Sequence, residues 1–80
     1  MTKTKTAKDW QKQVKGLLKS ELKKKDIGYK ELSTRLKSIG VKESPENIAN
    51  KISRGKFSMI FFIQCMEAIH TNTIRILDED

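Results

Sequence analysis

Four side chains able to read or grip a polyanion recur at helical spacing within the segment SPENIANKISRGKFS, residues 44–58. Asn47, Asn50, Lys51 and Arg54 stand at i, i+3, i+4 and i+7 and so share one side of a helix, while Ile48, Ala49 and Ile52 take the other. Asparagine, lysine and arginine all hydrogen-bond base edges or phosphates, and none of the four is acidic. The pattern predicts an amphipathic helix with a wet side suited to nucleic acid. Two internal uses compete with that role. Asn50 can cap or hydrogen-bond within the fold, and Arg54 can pair with Glu46 or Glu31.

Catalytic chemistry finds no comparable support. A nucleophile needs a base and an orienting acid. The only histidine, His70, stands five residues beyond the only cysteine, Cys65, a spacing that does not align two side chains on a helix. Cys65 falls in the most apolar segment and is expected to be a small core residue, and His70 a solvated residue at a helix end. One thiol can build neither an internal disulfide nor a zinc site, which favours a reducing, cytoplasmic setting. Gly16, Gly28, Gly40 and Gly55 are isolated, so no glycine-rich phosphate loop is present. The expectation is a protein that is not an enzyme and uses no cofactor or metal.

The charge is placed asymmetrically. Residues 1–30 carry ten lysines against Asp9, Glu21 and Asp26, whereas residues 61–80 carry only Arg75 against Glu67, Asp78, Glu79 and Asp80. A formal net charge of +7 favours polyanions without choosing among DNA, RNA and an anionic membrane surface. No apolar run approaches a membrane span, and MTKTKTAKDW lacks the apolar block of a secretory signal.

Eighty residues accommodate one domain with a modest core. The reading is a disordered arm over 1–9, a single domain over 10–77 and an acidic tail over 78–80. Asp9 is placed as the N-cap of a first helix whose stripe is Trp10, Val14, Leu17, Leu18 and Leu22, with Lys12, Lys15, Lys19 and Lys23 on the wet side. Such a helix could also lie on a membrane surface, but the remaining segments need this stripe to pack against. A second helix spans Tyr29 to about Ser38 and ends at Gly40 in the left-handed conformation. Ser44 caps a third helix with Pro45 at its first position, and Gly55 ends it. Ser58 caps a fourth, Met59 to Ile69, with Phe57 and Phe62 as a hydrophobic staple. This last helix is apolar nearly all round and is expected to be central. Residues 74–77, IRIL, read as a short strand. With no second strand in the chain, Ile74, Ile76 and Leu77 are expected either to pair with a second copy in a homodimer, together with the fourth helix, or to cap the core as an extended tail.

Helix, then helix–turn–helix with a basic outer face, then an apolar helix: this order resembles the Cro/repressor-like (Xre-type) helix-turn-helix domain. The matching residues are Tyr29-Lys30-Glu31-Leu32-Ser33 and Asn50-Lys51-Ile52-Ser53-Arg54-Gly55-Lys56, and the likeness spans roughly residues 10 to 70. The tighter pattern formed by Trp10, Val14-Lys15, Leu17-Leu18-Lys19, Glu21-Leu22 and Asn50 to Ser58 is similar to a small family of bacterial proteins of unestablished function. The resemblance implies an all-α, four-helix domain with the short strand appended, acting as a transcriptional regulator on double-stranded DNA with helix 45–54 in the major groove. Asn47 and Asn50 would then face adenine, Lys51 or Arg54 guanine or phosphate, Tyr29 and Lys30 a backbone phosphate at the start of the second helix, and Lys42 and Lys56 would add attraction from the flanking turns. One departure stands out: the turn before the third helix is several residues longer than the usual three or four. The competing readings are a protein-interaction module that keeps the fold, and nonspecific nucleic-acid binding through the lysine-rich first helix.

Overall fold

A computed structural model describes residues 4–74 and 76, and these form four helices: α1 (Ala7–Lys24), α2 (Tyr29–Ser38), α3 (Pro45–Arg54) and α4 (Met59–Ala68). Serine caps work as the sequence implies. The Ser44 hydroxyl accepts the Asn47 N–H and the Ser58 hydroxyl accepts the Phe61 N–H, with Pro45 in the first turn of α3. Phe57 stacks on Phe62, ring centroids 6.3 Å apart, and so closes the expected staple at the entry to α4.

The start of α1 differs from expectation. Thr6, not Asp9, is the N-cap: its hydroxyl accepts the Asp9 N–H at 3.2 Å while the Asp9 carboxylate accepts the Thr6 N–H at 2.9 Å. This reciprocal capping box begins the helix at Ala7, three residues earlier than periodicity indicates. Trp10 does not join the core. It is 55% exposed, and the Lys5 ammonium sits 4.3 Å from its ring centroid. Leu18 and Leu22 carry the α1 contribution to the core, with Val14 and Leu17 half-buried.

Three helices end in the same way. After α1, α2 and α4 the residues Asp26, Gly40 and His70 adopt positive φ, and the pair of backbone bonds of a Schellman motif closes each end. Only Gly40 does so without a side-chain penalty; Asp26 (φ 56°) and His70 (φ 59°) hold the same geometry with a Cβ.

α2 packs against both α3 and α4, and α1 packs against α3. Leu18, Leu32, Leu36, Ile48, Ile52, Cys65 and Ile69 are fully shielded at their junction. α4 contributes Phe61, Phe62, Cys65, Met66 and Ala68 but is not surrounded: Met59, Ile60 and Ile63 remain 71%, 70% and 53% exposed. The other three helices supply too little surface to cover an apolar one on every side.

The short C-terminal strand is not formed; no strand occurs among the described residues. Ile74 instead packs against the core, and the Ile76 carbonyl accepts the Gln13 side-chain N–H at 3.2 Å. The chain thus returns alongside α1 with Ile74 against the core and Ile76 60% exposed; within one chain a lone strand has no ladder to join. Arg75 and Leu77 lie outside the described residues. No described helix is long and apolar enough to cross a membrane.

Candidate nucleic-acid interface

α3 turns Ile48 and Ile52 into the core, which points Glu46, Asn47, Asn50, Ser53 and Arg54 outward; all five are exposed. Among the described residues the Asn47 and Asn50 side-chain amides make no hydrogen bond and Arg54 has no ion pair. Neither internal use expected for them is realised. Glu31 is bound by Arg35, whose guanidinium lies 2.9 Å from it and also donates to the Ala68 carbonyl at the end of α4.

Lys51 departs from this face. Its ammonium pairs with the Glu43 carboxylate and lies 4.8 Å from the Phe61 ring centroid. The pair is partly shielded, with Glu43 14% exposed, so the contact ties α3 to the preceding loop and to α4. Helical spacing alone cannot reveal this, because Glu43 lies eight residues upstream across a turn.

The six-residue loop Ile39–Ser44 explains how the extra turn length is absorbed. The Ser33 hydroxyl donates to the Glu43 carbonyl, which draws the loop back alongside α2. Lys30, one turn before Ser33 on α2, is exposed, and Tyr29 is half-buried against the core. Lys42 and Lys56 are exposed beyond opposite ends of α3.

The far end of α3 is held by α1. The Lys15 ammonium donates to the Ser53 carbonyl at 3.3 Å, placing a cation where the helix dipole is negative. Gly55 follows in the left-handed conformation, φ 64°, with its α-carbon against the Gln11 backbone: a Cβ there would lie 2.5 Å from the Gln11 oxygen.

Sequence reasoning named Glu46 only as an ion-pair partner for Arg54 and Lys15 only as part of the lysine-rich side of the first helix, and gave Ser53 no role. Glu46, Asn50 and Arg54 follow one another at i, i+4 and i+8, a signal legible by the same periodicity. Glu46 suits the first turn of a helix and can accept from a cytosine amine, but repels phosphate. No cluster of three metal-binding side chains occurs among the described residues. Burial, reinforced by the nearby Glu43 charge and opposed by Lys51, pushes the Cys65 thiol up to about 12, which fits its expected core role. His70 is exposed, as expected.

The chain belongs to the family described as a domain of unknown function (DUF6471), whose model matches residues 10–74. No curated protein and no solved structure matches it.

Proposed function

We propose that the chain is a double-stranded DNA-binding protein, a transcriptional regulator that lays α3 in the major groove. The observation that supports this is the contrast between the two sides of α3. Lys15 bonds its last turn and Glu43 and Phe61 hold Lys51 on its flank, while Asn47, Asn50 and Arg54 project outward with their side-chain hydrogen-bonding groups unengaged among the described residues. An α-helix about 10–12 Å across with its side chains fits a major groove about 12 Å wide, and ten residues give α3 about 15 Å of length along it. Asn50, central on the outer face, suits adenine; Arg54 suits guanine; the exposed Lys42, in the loop before α3, and Lys30, at the start of α2, suit backbone contacts.

A second reading draws on a different observation. Met59, Ile60 and Ile63 form an exposed apolar face on α4, which suits a protein partner better than a phosphate backbone.

Selection from a random duplex library separates the two. The DNA reading expects a consensus, and expects Asn50→Ala or Arg54→Ala to erase preference at one position each, about 1–3 kcal/mol of discrimination. Absence of duplex binding sinks it and leaves the α4 face as the surface to pursue.

A further inference from the structure

Five lysines on α1, Lys8, Lys12, Lys15, Lys19 and Lys23, recur at i, i+4, i+7, i+11 and i+15. That spacing makes one stripe along the helix, about 22 Å from end to end. A solvated lysine stripe alone indicates nothing more than solubility. What gives this one a place is the backbone approach between Gln11 and Gly55. Gln11 lies between Lys8, Lys12 and Lys15 within one turn of α1, and Gly55 lies between Arg54 and Lys56. The contact therefore joins cations from two elements into one surface, and the Lys15–Ser53 bond fixes its orientation against α3. Three of the described acidic side chains are paired elsewhere, Glu21 with Lys24, Glu31 with Arg35 and Glu43 with Lys51, and Glu46 stands at the opposite end of α3 from Gly55. Asp9, next to Lys8 in α1, is held by the Thr6 backbone N–H and hydroxyl.

We infer that this joint is a phosphate-binding track, in which Lys8, Lys12, Lys15 and Lys56 hold the sugar–phosphate backbone of the duplex whose bases α3 meets. The inference rests on the DNA reading above and adds a second contact surface to it. The track sets affinity and its salt dependence, and the α3 face sets sequence preference.

The test compares the full chain with Lys8→Gln/Lys12→Gln/Lys56→Gln and with a charge-matched control away from the stripe, Lys24→Gln/Lys25→Gln/Lys37→Gln. Circular dichroism melts verify the fold of each. Affinity is then measured for a selected duplex and for random duplex across a fourfold range of salt. Each phosphate contact makes binding about 3.5-fold more salt-sensitive over that range, so losing three removes about 40-fold of the sensitivity. The track predicts that loss in the first variant only, with base preference unchanged. Equal loss in both variants means bulk charge and overturns the track. Full salt sensitivity retained by the first variant, beside an intact consensus, overturns the track and leaves the α3 reading standing. Conversely, salt-sensitive binding that the first variant loses, without any consensus, supports the track and overturns base reading by α3. No duplex binding, or tighter binding to single-stranded RNA of the same length, overturns both.

Discussion

Gly55→Ala tests the joint between α1 and α3 directly. The substitution has two separable penalties. At φ 64° a Cβ meets its own backbone, a left-handed conformation that costs roughly 1–2 kcal/mol. The new methyl also lands 2.5 Å from the Gln11 oxygen and 3.1 Å from its carbonyl carbon, both backbone atoms of a helix that cannot swing aside as a side chain would. Forcing α1 to retreat is an overpacking change of about 1–3 kcal/mol. Together these give about 2–5 kcal/mol, against a total of roughly 4–12 kcal/mol expected for a chain of this length. The melting temperature should fall on the order of 20 °C. Gly40→Ala is the control: its φ is 87°, but nothing lies within 4 Å of the added carbon, so only the conformational penalty of about 1–2 kcal/mol applies. Thermal and urea unfolding followed by far-ultraviolet circular dichroism measures both. Should Gly55→Ala lose no more than Gly40→Ala, the Gln11 approach is not tight, and the argument that it joins two sets of cations goes with it.

Lys51→Ala should lower stability by about 1 kcal/mol by leaving Glu43 without its partner and Phe61 without its cation, measurable by urea unfolding; a selective loss of base preference at unchanged stability would contradict the inward orientation of Lys51. Gly28 caps α2 with extended backbone, no side-chain hydrogen bond and open space around its α-carbon. Gly28→Ser is therefore expected to raise stability by about 0.5–1 kcal/mol, and a lower melting temperature would refute that account. The Cys65 thiol stays protonated in the folded chain well above its ordinary value of 9.0, so alkylation at pH 8 should track unfolding, with rapid modification under native conditions as the contrary result. For Asp9 the Thr6 backbone hydrogen bond, followed by the Thr6 hydroxyl, holds the carboxyl below its ordinary 3.8. The folded value being the lower one, its support of the α1 start is present above pH 3.8 and disappears as pH falls through the folded value. An NMR titration of the Asp9 carboxyl checks the direction.

What could be read from sequence was local. Ser44-Pro45, Ser58, Gly40, Gly55 and the Phe57/Phe62 pair act within a turn of their own position, so spacing and residue type are sufficient. The Thr6–Asp9 box escaped because Asp9 fits two roles, N-cap or third residue, and only the helix start distinguishes them. Asp26 and His70 escaped because a left-handed helix end is expected at glycine and these sites tolerate it with a side chain. Lys51 turned inward because of Glu43 and Phe61, neither of them a helical neighbour. The same limit explains Ile74: alternation in a short run says extended, while its partner is decided by whatever surface the folded helices leave open.

The restraints on α3 have a thermodynamic corollary. Lys15 holds its last turn, Ser33 and the Glu43–Lys51 pair hold the approach to its first, and Phe61 supports it from beneath. A helix of ten residues alone in water is marginal, yet this one is already ordered before any partner arrives. The recognition proposed for its outer face would therefore resemble rigid docking rather than coupled folding. It should show a small heat-capacity change, without the large enthalpy and opposing entropy of a segment that orders on contact.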